Sequence, residues 1–329
     1  MRVAQRVASK VVSAQSKAAH GRQLVPDYPC LTRLHEHLLL TSRAPATREE
    51  YSRYARRIAL WARRDPELLG EEDLRAFFIH LKTQANYAPN TIRLITAALR
   101  FLFVQVLGHK DWKVLELISS PSPMKLPLAL PAEQARRLLG VVREPRMRMA
   151  FALMYGCGLR VGEVVKLEVR DVLGRGEALQ RLHIREAKGG KDRIVPLPPT
   201  LYKQLGELWL THRHPRFLFP SKGWSHKARG VGATRDIRLA DTPVSVSAVQ
   251  HCMGLARLEA RLQEGVTCHT LRHSYATHAL DAGVNLKQLS LYMGHADIST
   301  TAIYLHLSTL NEARAMAAIE AFSAPVVKL

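Results

Sequence analysis

A proline-rich interruption near residue 120 divides this chain into two helix-rich parts. Ser119-Ser-Pro-Ser-Pro123 is followed by Pro127 and Pro131. Proline lacks a backbone N–H donor and disfavours helix at the residue before it, so this stretch can neither continue a helix nor lie inside a sheet. A chain of 329 residues also exceeds what one modest core usually takes. We therefore predict two domains, with an interdomain linker at residues 111–130.

The charge balance indicates a polyanionic partner. Lys and Arg number 48 against 28 acidic residues, which gives a formal net charge of +20 and a pI near 10.2. Such an excess raises the local concentration of nucleic acid and speeds encounter with it. A membrane surface is the alternative, but the sequence contains no run of about 18 apolar residues and no basic amphipathic anchor. Nucleic acid is the favoured partner, and no membrane is expected.

Cysteine usage and the N-terminal sequence predict an intracellular location. The four cysteines are scattered and form no C-x-x-C pair, which is typical of reduced thiols. The N-terminal stretch M-R-V-A-Q-R-V-A-S-K lacks the uninterrupted apolar core of a signal peptide. We expect a cytoplasmic, nucleoid-associated protein whose residues 1–25 form a basic arm.

Residues 26–110 show four helical patterns and are predicted to form a helical DNA-binding domain. Apolar residues recur three or four positions apart in each pattern, as on one face of an amphipathic helix. Thr47-Arg-Glu-Glu50 has the form of a capping box and is predicted to begin the second helix. The patterns cover Leu31–Leu40, Thr47–Trp61, Glu71–Leu81 and a long helix from Pro89 to Val106.

Basic residues on these helices and in one later loop are candidate DNA contacts. A solvated basic face is the alternative for the helical arginines, but the positive charge of the whole chain favours phosphate contact. A Gly-rich basic loop at residues 220–243, which contains Trp224, could reach a DNA backbone or be a surface insertion. The candidates are Arg53, Arg56, Arg57, Arg93, Arg100, Lys222 and Arg229.

The second half is predicted to be helical with one small sheet. A tight turn at residues 156–163 follows the helical pattern of Met147–Tyr155, and the apolar period then changes from 3.6 to 2. Lys188-Gly-Gly-Lys191 lies between two alternating stretches and predicts a hairpin. With Val169–Leu173 this makes an antiparallel sheet of about three strands. Helical patterns resume at Thr200 and continue beyond His269.

Four chemically competent side chains lie within 36 residues: His269, Arg272, His295 and Tyr304. A zinc site is one alternative, because His269 and His273 are four residues apart and would share a helix face. However, Thr270 stands where the zinc-hydrolase motif has its glutamate, and no third ligand is well placed. Neither a G-x-S-x-G motif nor a P-loop is present. These exclusions favour phosphoryl transfer without a metal.

The chemistry of such a transfer accounts for the residue types. Two guanidinium groups can stabilise an anionic phosphodiester transition state in place of a metal. Arg272 lies on the same helix face as His269, and His269 lies near the helix N-terminus, which attracts anions. A lysine on the hairpin could protonate the leaving 5′-oxygen, and Tyr304 could attack phosphorus. A free phenol has a pKa of about 10, so cationic neighbours are expected to favour the ionised form of Tyr304.

Three stretches of the sequence resemble the tyrosine recombinase, or phage integrase, family, most closely its Xer and integron-integrase branches. They read Y-G-C-G-L-R-V-G-E-V from Tyr155, H-T-L-R-H-S-Y-A-T-H from His269, and Y-M-G-H-A-D-I-S-T-T-A-I-Y from Tyr292. His295 precedes Tyr304 by nine residues, as in that family. The N-terminal half resembles the family's core-binding domain more loosely, in P-N-T-I-R-L-I-T-A-A-L-R-F-L-F from Pro89.

The resemblance implies a role for each matching residue. Arg160 and Arg272 would clamp the phosphate, and Lys188 would act as the general acid. His269 would assist proton transfer, His295 would bond the scissile phosphate, and Tyr304 would be the nucleophile. Glu163 would orient the helix of the first arginine. His273 and His278 fall outside the implied set, and we expect them to serve packing.

The implied architecture is mainly α (α+β), with the fold of DNA breaking-rejoining enzymes. A four-helix, SAM-like core-binding domain would precede a helical catalytic domain that carries a small antiparallel three-stranded sheet. The predicted segments are a basic arm (1–25), the core-binding domain (26–110), the linker (111–130), the catalytic domain (131–310) and a C-terminal helix and tail (311–329).

The implied function is site-specific DNA recombination. Strands would be cleaved and rejoined through a covalent 3′-phosphotyrosyl intermediate and a Holliday junction, without metal or cofactor. The family works as a tetrameric synapse on its DNA sites, with possible accessory DNA-bending or partner recombinase proteins. Two alternatives stay open: a type IB topoisomerase-like nicking-closing enzyme, and a catalytically idle DNA-binding accessory protein.

Overall fold

A computed structural model of the protein describes residues 26–121 except 27, 127–174, 179–185, 192–221, and 236–307 except 296. Two units, Met1–Met124 and Lys125–Leu329, divide the chain. Several predicted features lie outside the described residues: the arm at 1–25, Lys188 and its hairpin turn, Lys222 and Arg229, and the segment 311–329.

The first unit contains the four predicted helices, all with one buried apolar face. The long helix beginning at Pro89 buries Ile92, Ile95 and Leu99 and continues as a π-helical turn, Phe101–Val106, so that Phe101 and Phe103 are buried as well. The helices are α1 (Pro29–Leu40), α2 (Pro45–Ala62), α3 (Glu71–Thr83) and α4 (Pro89–Arg100).

Proline, rather than a polar cap, begins three of these four helices. Pro45 occupies the first turn of α2, with Ala44 at its N-cap and no side-chain cap bond. Thr47 therefore lies inside the helix, and the predicted capping box is wrong. Proline favours the first helical position because its fixed φ suits the helix and its missing N–H would have had no partner there. The same residue type begins α1 and α4.

The stretch predicted as linker begins with structured chain. Val114–Leu117 forms a short helix, α5, and its Val114 and Leu115 are buried in the core of the first unit. The backbone N–H of Val114 donates a hydrogen bond to Glu71 at the start of α3, at 3.1 Å. Residues up to α5 therefore belong to the packing of the first unit.

The second unit combines helices with one small sheet. The strands are β1 (Val172–Leu173), β2 (Arg181–Ile184) and β3 (Arg193–Pro196). The helices are α6 (Ala132–Val141), α7 (Pro145–Gly156), α8 (Val161–Val165), α9 (Pro199–His212), α10 (Val246–Glu259), α11 (Cys268–Asp281), α12 (Leu286–Met293) and α13 (Ser299–Ala302), the last followed by the 3-10 segment Ile303–Leu307.

The predicted antiparallel sheet of three strands is confirmed, in the order β1-β2-β3. In the β2–β3 pair, Leu182 lies opposite Val195 and Ile184 opposite Arg193. Successive side chains of a strand point to opposite faces. Val195 is fully buried while Ile194 is exposed, so Arg193 begins β3 on the face that meets the core. An arginine at that position needs buried partners, because an unpaired buried charge is costly.

Helix α11 connects the main core to a smaller one. It packs against α7, and its first residues, Cys268 and Leu271, are buried in the main core. Its second half packs against α12 and the 3-10 segment, where Leu280, Met293 and Tyr304 are buried together. One helix therefore positions groups at both cores. Within the described part of the chain, no helix is long and apolar enough to cross a membrane.

Substitution of Gly158, in the turn between α7 and α8, tests the packing of α11 against α7. Its φ is +65°, and a Cβ added there would lie 2.4 Å from the Tyr275 ring. Left-handed backbone and overpacking each cost about 1 kcal/mol or more. Gly158→Ala should therefore lower the melting temperature by roughly 5 °C, measured by circular dichroism.

Gly162 provides the matched control, since a Cβ there meets nothing within 4 Å. It lies in α8, where alanine is favoured over glycine. Gly162→Ala should therefore leave the melting temperature unchanged or raise it. Equal melting temperatures for the two variants would contradict the packing argument.

Candidate active site

A buried carboxylate, Glu163, organises a cluster of arginines in the second unit. Arg160 occupies the N-cap of α8, and its backbone N–H donates to Glu163 Oε2 at 2.8 Å. The Arg160 guanidinium also donates to Glu163 Oε1 at 2.9 Å. Burial alone would raise the pKa of Glu163, but the hydrogen bonds and charges of Arg193 and Arg160 lower it to about 2. The carboxylate is therefore ionised throughout the physiological range.

Arg193 is the partner that the sequence analysis missed. Its two terminal nitrogens bond both oxygens of Glu163, at 2.9 and 2.8 Å, and its Nε donates to the carbonyl of Tyr292 at 2.7 Å. The side chain is only 8% exposed. The sequence signal that could have found Arg193 is an arginine on the buried face of a predicted strand. That signal does not identify its partners, because they lie 30 and 99 residues away in sequence. Arg193 therefore ties the start of β3 to α8 and to the end of α12.

Arg272 is the most buried cation of the described site, at 3% exposure. Its terminal nitrogens donate to the carbonyls of Gly158 and Met293, and Nη2 lies 3.2 Å from His295 Nε2. Nη1 lies 3.9 Å from Glu163, too far for a hydrogen bond. Burial and the nearby Arg160 lower the pKa of Arg272 to about 9. These bonds fix the guanidinium between α8 and the end of α12.

His295, just after α12, lies between Arg272 and a buried hydroxyl. Its Nδ1 is 2.7 Å from Thr301 Oγ1, and Thr301 is fully buried. Burial, together with Arg272, Arg160 and Arg193, lowers the pKa of His295 to about 4. The neutral ring can accept from Arg272 at Nε2 and donate to Thr301 at Nδ1. Since a hydroxyl also donates, the opposite tautomer would expose an Nε2–H toward an incoming anion.

Tyr304 lies in the 3-10 segment with its ring buried, at 2% exposure. Its hydroxyl is 2.7 Å from His273 Nδ1. Burial raises the pKa of Tyr304, although Arg272 and Arg160 act to lower it. The cationic neighbours thus favour the ionised phenol, as expected, but desolvation outweighs them in the DNA-free protein.

His273 has a contact that the sequence analysis did not expect. A pure packing role does not account for its bond to Tyr304, which follows from the position of the 3-10 segment against α11. His278, the other histidine assigned to packing, similarly bonds Tyr155 through Nδ1, at 2.9 Å. Neither pairing leaves a signal in the local sequence, because the partners lie 31 and 123 residues away.

His269 is the second residue of α11 and is exposed. Its ring lies 6.4 Å from that of His273, measured between centroids. Burial on one side, with the charges of Arg272 and Arg160, lowers its pKa. Among the described residues, no group of three or more His, Cys, Asp or Glu side chains could hold a metal ion.

The predicted site residues that are described therefore converge. Arg272 bonds His295 directly, and Arg160 and Arg272 donate to the adjacent carbonyls of Gly294 and Met293. The charges of both arginines act on Tyr304 and on His269. Lys188 lies outside the described residues. Three buried or half-buried arginines surround one carboxylate, so the site carries uncompensated positive charge. Such a surplus is suited to binding a phosphate anion.

The candidate DNA contacts of the first unit differ in how they are held. Arg93 and Arg100 donate to the carbonyls of Ser120 and Leu115, and Arg53 pairs with Glu50. Arg57 lies over the Tyr87 ring at 4.7 Å. Arg56 is exposed and makes no hydrogen bond or ion pair with the described residues. Their contact with DNA stays a prediction.

Comparison with known proteins agrees with this geometry. The phage integrase family model matches residues 129–310, and that of the phage integrase N-terminal SAM-like domain matches residues 31–113. The chain is 34% identical over 262 residues to an integrase/recombinase, y4qK, of Sinorhizobium fredii, covering 78% of each chain. It is 33% identical over 272 residues to the tyrosine recombinase XerA of Thermococcus kodakarensis, covering 82% of this chain and 87% of that one.

A solved structure shows the same fold at lower identity. The lambda integrase dimer bound to a COC′ core site superposes with a TM-score of 0.65 at 16% identity, covering 91% of this chain and 86% of that one. The predicted family resemblance and fold class are confirmed.

Replacing Arg193 tests whether the cluster positions the site. Arg193→Lys keeps the charge but cannot bond both oxygens of Glu163 and the Tyr292 carbonyl together. A shift of about 1 Å in a reacting group can lower a rate about 100-fold. We expect DNA cleavage by Arg193→Lys to fall by roughly that factor, in single-turnover assays, while DNA binding persists.

Arg185 offers the matched control. It pairs with Glu168 and Asp171 in a second ionic cluster of the same unit. Arg185→Lys should change the melting temperature but leave the cleavage rate unchanged. If Arg193→Lys cleaves at the wild-type rate, the positioning role of Arg193 is excluded.

Proposed function

The chain belongs to the phage integrase family and is a tyrosine-type site-specific recombinase, and we propose on that premise that Tyr304 is its nucleophile. The protein cleaves and rejoins DNA strands through a 3′-phosphotyrosyl intermediate. The observation that carries the assignment of Tyr304 is its place in a site with surplus positive charge, where its hydroxyl bonds His273 and the charges of Arg272 and Arg160 act on it. A phosphodiester supplies the negative charge that this site lacks.

The arginines bind the scissile phosphate in this proposal. Arg160 and Arg272 are held in place by Glu163, Gly158, Met293 and Gly294, so they meet the phosphate without large rearrangement. Preorganised donors of this kind stabilise the charge that develops on the nonbridging oxygens in the transition state. His295 then donates to the phosphate from Nε2, with Thr301 bonded to the other ring nitrogen.

Lys188 protonates the leaving 5′-oxygen in this proposal. It follows β2, and the next strand, β3, carries Arg193. Strand β3 is thus fixed to Glu163 at its first residue. His269, at the start of α11, assists proton transfer near the same phosphate.

The proposed partner is duplex DNA carrying recombination sites. The lambda integrase structure is a dimer bound to a core site, and a XerH structure is a post-cleavage complex with its palindromic substrate. We propose that this chain likewise assembles on DNA, as a tetrameric synapse that exchanges strands through a Holliday junction. We place this activity in the cytoplasm, at the nucleoid. The domain boundaries at 26–110, 111–130 and 131–310 stay part of the proposal.

Replacement of Tyr304 tests the nucleophile. On a nicked suicide substrate the wild type should accumulate a covalent protein–DNA adduct, visible by denaturing electrophoresis, and Tyr304→Phe should form none. Tyr155→Phe is the matched control, because it removes the other phenol that bonds a histidine of α11. It should form the adduct at the wild-type level. An adduct in Tyr304→Phe would assign the nucleophile to another residue.

Replacement of Lys188 tests the general acid. Loss of general acid catalysis costs about 100-fold or more in rate, so Lys188→Ala should cleave that much more slowly. A 5′-bridging phosphorothiolate substrate has a leaving group that needs no proton, and it should restore the rate. A defect that the phosphorothiolate leaves unchanged would contradict the acid role.

A further inference from the structure

We propose that His273 is the general base for Tyr304: its Nδ1 accepts the phenol proton as the tyrosine attacks phosphorus. This inference rests on the proposed role of Tyr304 as nucleophile. It assigns a catalytic function to a histidine for which the sequence predicted a packing role. The geometry points to it because His273 Nδ1 lies 2.7 Å from Tyr304 Oη. Among the described residues, no other side chain bonds that oxygen.

The hydrogen bond joins two groups that are both uncharged at neutral pH. Burial, together with the charges of His269 and Arg272, lowers the pKa of His273 to about 4. Burial also raises the pKa of Tyr304. At neutral pH the pair is therefore a neutral imidazole and a neutral phenol. In the tautomer that carries its proton on Nε2, the Nδ1 lone pair of His273 accepts from the phenol, and the proposal assigns this tautomer to the reactive state.

The relative position of the His273 and Tyr304 rings is fixed by the elements that carry them. His273 lies on α11 directly after Arg272, and the Tyr304 ring is buried against Leu280 and Met293. The His273 and Tyr304 ring centroids are 5.7 Å apart. Helix α11 therefore holds the base while the small core holds the nucleophile. His269, whose role is implied by the family motif, lies at the exposed start of the same helix.

The charges that face His273 explain how DNA would activate it. His269 and Arg272 lie on its own helix, His295 reaches it from the end of α12, and Tyr304 faces it from the 3-10 segment. None of these groups brings negative charge to the DNA-free site at neutral pH. A bound phosphate does, and it therefore raises the basicity of His273. The base gains strength when the substrate is in place.

The proton inventory of the step balances. A bond forms between Tyr304 Oη and phosphorus, and the bond between phosphorus and the 5′-oxygen breaks. The phenol proton moves to His273 Nδ1, and Lys188 gives a proton to the leaving oxygen. In ligation the 5′-hydroxyl attacks phosphorus and gives its proton to Lys188, which lost one in cleavage. The bond between phosphorus and Tyr304 Oη breaks, and the imidazolium of His273 returns its proton to the departing phenolate.

The first test compares His273→Ala and His273→Asn with the wild type in single-turnover cleavage of the nicked substrate. Asparagine keeps an acceptor near the Nδ1 position but cannot take up the proton. Both variants should cleave about 100-fold more slowly, the scale of general base catalysis. Wild-type rates for asparagine would reduce His273 to a positioning role and overturn the proposal. Faster cleavage by His273→Ala would show that His273 restrains Tyr304 instead of activating it, and would also overturn the proposal.

His278→Ala is the matched control, since His278 lies on the same helix and also bonds a tyrosine through Nδ1. It should cleave at the wild-type rate. Melting temperatures and DNA affinities of all variants separate misfolding from loss of chemistry. If His273→Ala is misfolded, His273→Asn carries the comparison.

The second test changes the acidity of the nucleophile. A difluorotyrosine at position 304 has a more acidic phenol, which depends less on a base. With this residue, His273→Asn should lose only a small part of the 100-fold. The phosphorothiolate substrate should not rescue His273→Asn, because it relieves the leaving group and not the nucleophile. An undiminished defect with difluorotyrosine, or rescue by the phosphorothiolate, would overturn the base role.

Failure of this inference is distinguishable from failure of the proposed function. If Tyr304→Phe still forms an adduct, Tyr304 is not the nucleophile, and the base assignment is lost with it. If Tyr304→Phe forms none but His273→Asn cleaves normally, Tyr304 stands as the nucleophile and His273 is not its base.

Discussion

The shared carboxylate of Glu163 is the interaction on which the rest of the site depends. Isolated charges are rarely buried, because desolvation costs several kcal/mol per ion in a protein. Here one carboxylate accepts from Arg160 and from both terminal nitrogens of Arg193, and Arg272 lies 3.9 Å away. These bonds connect α8 to β3, and the bond from Arg193 to the carbonyl of Tyr292 extends the connection to α12. In the proposed phosphate clamp this carboxylate fixes Arg160 directly, whereas Arg272 is fixed by the carbonyls of Gly158 and Met293.

The positive charge of the cluster exceeds its negative charge. Three guanidinium groups face one carboxylate, and the cost shows in the neighbouring side chains. Burial and the adjacent cations lower the pKa of Arg272 to about 9 and that of His295 to about 4. A site arranged only for stability would carry a second carboxylate. The surplus is relieved when a phosphate arrives, so DNA binding and the preparation of the catalytic groups are one electrostatic event.

The sequence predicted the parts of this site that lie in local motifs and missed those that depend on distant contacts. Arg160, Arg272, His295 and Tyr304 could be found because each lies in a short recognisable pattern. Arg193 could not, since its function depends on β3 meeting Glu163 and Tyr292. The four helices and the sheet were predictable from apolar periodicity. The start of α2 was predicted wrongly, because the helix begins at Pro45 and not at a polar cap on Thr47.

The contact of His273 also depends on a residue that is distant in sequence, so its role cannot be predicted from the local motif. Neighbouring residues on a helix point about 100° apart, so Arg272 and His273 serve different partners although they are adjacent in sequence. Arg272 bonds the carbonyls of Gly158 and Met293, and His273 bonds the hydroxyl of Tyr304. In the proposed mechanism, two adjacent residues of α11 thus contact the phosphate and the nucleophile. A single helix would therefore hold the proposed clamp and the proposed base in fixed relative positions through cleavage and ligation, which use the same atoms in reverse order.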